Sequence, residues 1–164
     1  MATFSFDIVS TYDKAELNNV FAAVQREIAS RYDFKNTPAS IDWLGDKTGF
    51  KIVGAGEWQI ESIVDIVRKH VINRGQSPKI LDLSKDTHES NLKSMKEIPF
   101  IDGLDQDKAK QITKFLKEEL PKVKTQIQGD AVRVSSGSKD ELQAVMRAIT
   151  AHDFDFAISY TNYR

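Results

Sequence analysis

Val123-Lys124-Thr125-Gln126-Ile127-Gln128-Gly129-Asp130-Ala131-Val132-Arg133-Val134 is the stretch that decides the fold. Val123, Thr125 and Ile127 alternate with Lys124, Gln126 and Gln128, the two-residue period of a strand with one buried face. Gly129-Asp130 makes a two-residue turn that permits positive φ, and Val132 and Val134 flank Arg133 on the return. The spacing predicts an antiparallel hairpin. Successive strand side chains alternate faces, so Lys122, Lys124, Gln126, Gln128 and Arg133 share the side opposite Val123, Ile127, Val132 and Val134.

Helical patterns bracket this hairpin. Asp105 to Glu119 carries Ala109, Ile112 and Leu116 on one stripe and ends before Pro121. Ser138-Lys139-Asp140-Glu141 is a capping box opening a helix whose stripe is Leu142, Val145, Met146 and Ile149. Met95 to Ile101 reads as a strand that Pro99 confines to an edge or end position. Phe154, Phe156, Ile158 and Tyr160 read as a closing strand. The order is β-α-β-β-α-β.

The earlier residues follow the same order. Phe4, Phe6 and Ile8 alternate with Ser5 and Asp7 as a first strand, and a helix begins near Lys14, capped by Asp13, with Leu17, Val20, Phe21, Val24 and Ile28 on its stripe. Ser40 to Leu44 and Phe50 to Val53 form a hairpin, with Trp43 facing inward. A helix over Glu57 to Arg74 presents Ile60, Ile63, Val64, Val67 and Val71 and stops at Gly75, and Lys79 to Leu83 supplies a short strand. The chain is therefore α+β, with two tandem ferredoxin-like (βαββαβ) units at 1–90 and 91–164. In each, two helices cover one face of an antiparallel sheet and leave the other open.

Composition narrows the function. The 164 residues carry 23 Lys+Arg against 24 Asp+Glu, a net charge of −1, so an anion site has to be a local patch. The absence of cysteine excludes disulfides, thiolate metal sites and cysteine nucleophiles. His70, His88 and His152 have no metal-ligand spacing, and the sequence holds no nucleophile elbow and no Walker motif. A non-enzymatic protein is expected, with no cofactor and no metal. Met1 to Lys14 lacks a basic start followed by an apolar run, and no apolar stretch is long enough to span a membrane, so the cytoplasm is the expected location.

Ser5-Phe6-Asp7-Ile8-Val9-Ser10, Ser30-Arg31-Tyr32-Asp33-Phe34-Lys35-Asn36, Val123 to Asp130, Val132-Arg133-Val134 and Lys139 to Gln143 resemble the bacterial YajQ family. The resemblance runs from Ser5 to Arg164, and Tyr160-Thr161-Asn162-Tyr163-Arg164 is similar to the family's aromatic-Asn-aromatic-Arg ending. It implies that the units exchange their first strands, 4–9 joining the second and 95–101 the first. It also implies a nucleotide-binding protein, a cyclic di-GMP or GTP effector, with RNA or tRNA binding as the alternative.

Two groups of residues become candidate ligand contacts. Arg31, Phe34, Lys35 and Asn36 follow the first helix, a mixture of cations, an amide and a ring suited to a phosphate and a base. Lys124, Gln126, Gln128 and Arg133 form the polar face of the hairpin, where amides read base edges and cations neutralise phosphate; Asn162 and Arg164 join them. The rival reading is a protein-interaction adaptor in which these strings serve only the fold. Gly54-Ala55-Gly56 reads as a simple turn, and Lys47 to Val53 as a chance echo of an RNA-recognition strand.

Overall fold

The computed structural model of the chain describes residues 3–164. Its elements are β1 (Phe4–Val9), α1 (Lys14–Ser30), β2 (Ser40–Leu44), β3 (Gly49–Gly54), α2 (Glu57–Asn73), β4 (His88–Ser90), β5 (Lys93–Pro99), α3 (Gln106–Glu119), β6 (Lys124–Gln128), β7 (Ala131–Ser136), α4 (Lys139–His152) and β8 (Ser159–Thr161). The helices begin where short polar side chains satisfy the free N–H groups of a first turn. Asp13 accepts from Ala15 and Glu16, Asp105 from Lys108, and Ser138 from Glu141.

The strands form two antiparallel four-stranded sheets, ordered β6-β7-β1-β8 and β2-β3-β5-β4. The first strand of each half lies inside the sheet of the other. β1 sits between β7 and β8, whereas β5 sits between β3 and β4. The chain accordingly divides into one unit of the residues up to Thr11 with Asp102–Arg164, and another of Tyr12–Ile101. In both, a strand hydrogen-bonded on each edge forms the sheet centre.

In the unit containing β1, Phe6, Ile8, Val132 and Val134 are fully buried against Ala109, Ile112 and Leu116 of α3 and Val145 and Ile149 of α4. In the other, Phe50 and Ile52 of β3 are buried along with the apolar stripes of α1 and α2. Trp43 faces inward, stacked on Phe21 at 4.6 Å and tilted on Phe50 at 5.1 Å.

Two sequence expectations are corrected. Lys79 to Leu83 is not a strand: Pro78–Ile80 is one turn of 3-10 helix, and beyond it only Leu81 bridges to Phe100. Ile80 and Leu81 are buried, so their apolar character reports packing, and the single bridge does not extend into a strand. The actual edge strand, β4, is formed by the polar, exposed residues His88–Ser90. It pairs with β5 through a turn in which Asn91 and Leu92 both have positive φ, 51° and 66°. The closing strand is also shorter than expected, because Phe154 and Phe156 are buried ahead of β8 and outside it. Pro99 is the last residue of β5, so this strand is central and ends at its proline.

Candidate ligand-binding site

Register places Asp7 of β1 directly opposite Arg133 of β7, and Arg133 opposite Gln126 of β6. These three side chains project from the face away from Phe6, Ile8, Val132 and Val134, whose side chains fill the core. Asp7 is nonetheless only 6 % exposed. Buried carboxylates require partners, and Asp7 has three bonds from two side chains. Arg133 donates through Nε to Oδ1 at 2.9 Å and through Nη2 to Oδ2 at 3.5 Å, and Asn162 Nδ2 donates to Oδ2 at 2.8 Å.

Arg133's hydrogen bond is the largest influence holding the Asp7 carboxyl below its ordinary range; burial opposes it, while Asn162 and the charges of Arg133 and Arg164 reinforce it. A carboxyl depressed in the folded state contributes stability above its unfolded value, and that contribution is lost as pH falls through the folded value. Glu27 is lowered in the same sense, first by the hydrogen bond from Lys69 at 2.6 Å and also by His70 at 2.9 Å, again against burial. Stability to urea is therefore expected to be level at neutral pH and to decline below about pH 4 to 5, the ordinary carboxyl range. Asp7→Asn should flatten part of that decline in a pH series of urea midpoints.

Asn162 reaches Asp7 because its backbone is left-handed, φ 55°, a conformation asparagine tolerates. The tail then runs beside β1: Arg164 N–H donates to Ser5 O at 2.9 Å, and Ser5 N–H to Arg164 O at 3.2 Å. The structure thus brings Arg133, Asn162 and Arg164 together around Asp7, with Gln126 beside Arg133. Lys124 and Gln128 occupy the same exposed face of β6, opposite Ser135 and Ala131. Asp7 is the member that sequence reasoning passed over. It was legible only as one polar residue of an alternating strand.

The other group lies in the unit of Tyr12–Ile101. Arg31 forks onto Asp33 at 3.0 and 2.8 Å, lies 3.8 Å from Glu27, and places its guanidinium 4.8 Å from the Phe34 ring centre. Its charge is compensated locally. Phe34 is buried and anchors the loop, while Asn36 occupies a left-handed turn position, φ 59°. Lys35 lies over the exposed Tyr32 ring at 5.8 Å. With Phe34, Gln25, Ile28 and Ser40 it lines a cleft of about 420 Å³.

Gly54-Ala55-Gly56 is a turn closed by Gln59, whose Oε1 accepts from Ala55 N–H at 2.7 Å. His70 bonds Glu27, and His152 packs between Phe115 and Phe154 at 4.4 Å from each ring. Among the described residues no three His, Cys, Asp or Glu side chains are grouped to hold a metal ion, and no helix is long and apolar enough to cross a membrane.

The fold and this face define a tandem ferredoxin-like protein whose exposed strand side chains are cations and amides. The family model described as "Nucleotide-binding protein YajQ-like" matches residues 4–164, and the chain belongs to that family. It is 41% identical over 165 residues to a "Nucleotide-binding protein" of Nocardioides sp., covering 100% of both chains. Similar proteins of the same description occur in Streptomyces griseus, 42% identical over 166 residues with full coverage of both, and in Trichodesmium erythraeum, 41% over 163 residues covering 99% of each.

Proposed function

We propose that this chain is a cytoplasmic, non-enzymatic nucleotide-binding protein that holds cyclic di-GMP or GTP on the exposed face of the β6-β7-β1-β8 sheet. The observation that carries the reading is the Asp7–Arg133 pair. A buried carboxylate engages Arg133 through Nε and Nη2, which fixes the guanidinium plane and leaves Nη1 to donate to a phosphate or to guanine O6 and N7. Gln126 and Gln128 add amides able to pair with a base edge, Lys124 and Arg164 add positive charge, and Asn162 steadies the carboxylate. The names of the relatives point the same way. Lys35 and the loop Arg31–Asn36 are a second, separate place at which a phosphate is to be sought.

Calorimetric titration with cyclic di-GMP, GTP and tRNA tests this. Saturable binding of one nucleotide is expected, weakened about tenfold or more by Arg133→Ala, since one charge-assisted pair is worth about 1.5–3 kcal/mol. Absence of saturation below about 1 mM for every titrant would sink it. Undiminished nucleotide binding by both Arg133→Ala and Lys35→Ala, with loss of a pulled-down protein, would favour the adaptor reading instead. RNA has less to hold it here: Phe50, the ring of the RNA-recognition echo, is fully buried, and the exposed face of β1, β6 and β7 carries no aromatic ring among the described residues. Stacking is the usual grip on single-stranded bases.

A further inference from the structure

The β2-β3-β5-β4 sheet ends at β2, whose outer backbone edge has no partner strand among the described residues. Natural sheets usually blunt such an edge with lysine, proline or a bulge. β2 has none of these: its five residues are Ser40-Ile41-Asp42-Trp43-Leu44, and they pair with β3 in unbroken register. Beside this edge lies the cleft of about 420 Å³, between β2 and the last turns of α1. Ile28, Phe34 and Ile41 give it an apolar wall, and the small side chains of Ala29 and Ala39 give it room. Asn18, Ala22, Gln25 and Ala29 follow one another at helical spacing along the flank of α1 that faces β2. Lys47 Nζ, from the turn after β2, donates to Asn18 Oδ1 at 3.1 Å. No member of that stripe is charged and two are alanines, so an extended backbone can approach closely.

Ile41 and Trp43 point to the α1 side, since Ile41 lines the cleft and Trp43 stacks on Phe21 of α1. Asp42 between them points to the opposite face and is exposed. There it ends a row of alternating charge: Glu97 of β5 stands opposite Lys51 of β3, and Lys51 opposite Asp42. Opposite charges on directly paired residues stabilise a sheet, and like charges weaken it. The next position in the row, one strand beyond β2, is therefore matched by a cation. A second copy of this chain does not fit. A two-fold pairing of β2 with itself is antiparallel and, kept over all five residues, centres on Asp42, setting two carboxylates face to face.

We infer that β2 and α1 together form a docking groove for an extended segment of another protein, which adds to the sheet beside β2. Its backbone bonds the free edge, and a Lys or Arg lies opposite Asp42. The apolar side chains on either side of that cation turn toward α1, and one of them enters the cleft. Strand addition works in this way elsewhere, main-chain bonds giving affinity and pockets for alternate side chains giving specificity. Tyr32, 86% exposed with Lys35 Nζ 5.8 Å from its ring centre, offers an aromatic contact at one end of the cleft. The groove shares no residue with the Arg133 face and holds whether or not that face binds a nucleotide.

Amide NMR titration of the full chain with the blocked peptide acetyl-Thr-Val-Lys-Val-Thr-amide tests this, beside the same peptide with Glu in place of Lys and two analogues N-methylated at complementary sets of alternate residues. Saturable shifts are expected at Gln25, Ala29 and Ser40–Leu44, with the Lys peptide bound about threefold more tightly than the Glu peptide. Asp42→Asn should remove that preference. Ala29→Trp, at an exposed position, should fill the cleft and weaken binding about tenfold while the rest of the spectrum stays folded. Alternate N–H groups of an added strand face its neighbour, so one N-methylated set should abolish binding and the other spare it. Any other pattern would overturn strand addition, and equal affinity for the Lys and Glu peptides would overturn the cation. No saturation at these amides below about 1 mM, or affinity unchanged in Ala29→Trp, would overturn the groove.

Discussion

A fragment of residues 12–101 is expected to fold on its own, whereas fragments 1–90 and 91–164, cut where the sequence repeat divides, are expected to remain largely unfolded. The reason is the position of the exchanged strands. The fragment 12–101 keeps β2, β3, β4 and β5 and both covering helices, a complete sheet. Fragment 1–90 loses β5, the strand that pairs with both β3 and β4, and with it the fully buried Ile98 that lies opposite Phe50. Fragment 91–164 loses β1, which pairs with β7 and β8, and the fully buried Phe6 and Ile8. Deleting one large buried side chain costs about 2–5 kcal/mol, against a total stability of about 5–15 kcal/mol, so losing a central strand exceeds what a small unit has in reserve. Circular dichroism and urea unfolding are the measurements: a cooperative transition for 12–101 and none for the other two. Adding a peptide of residues 3–11 should restore structure to 91–164 by supplying the missing strand. A cooperatively folded 1–90 monomer would contradict the exchange.

The elements were legible because local chemistry dictates them. Asp13, Asp105 and Ser138 mark helix starts through their own side-chain bonds, and the alternation of Val132 and Val134 around Arg133 gives a strand with two unlike faces. Periodicity says which face of a strand is buried and nothing about its neighbour. Phe6 and Ile8 would satisfy either sheet equally, so the exchange came from the family resemblance. β4 escaped detection because all three of its residues are exposed and carry no apolar signal, whereas Ile80 and Leu81 carry one without being a strand.

The same limit applies to the site. Arg133 was visible as a cation on an outward face, but its partner Asp7 is 126 residues away, and no local pattern connects them. Asn36 and Asn162 offer amides, yet both also hold left-handed backbone positions. That gives each a structural duty, and in Asn162 the bent backbone is what delivers the amide to Asp7. By composition Arg31 is a ligand cation, although Asp33 is only two residues on. The pairing depends on the 3-10 turn Tyr32–Phe34, which composition did not disclose.

Phe6→Ala is expected to cost about 3–5 kcal/mol, the usual range for removing a fully buried aromatic ring. Phe6 is the position where that range applies most directly in its unit: it is fully buried, it stands opposite Val134, and Tyr160 meets its ring edge-on at 5.3 Å. An edge-to-face pair adds about 0.5–1.5 kcal/mol to the loss of buried area, and the void left between the centre of the sheet and the two helices packed on its one face has little freedom to collapse. Ile127→Ala, by contrast, removes a side chain already 40% exposed on an edge strand and should cost about 1 kcal/mol or less. Urea unfolding followed by circular dichroism measures both. Tryptophan fluorescence supplies an internal comparison, since Trp43 and Trp58 belong to Tyr12–Ile101 and Phe6 does not. A strand contributed from eleven residues at one end of the sequence thereby governs the stability of a unit built mainly from residues 102–164. Equal effects of Phe6→Ala and Ile127→Ala would mean that β1 is not the centre of that unit.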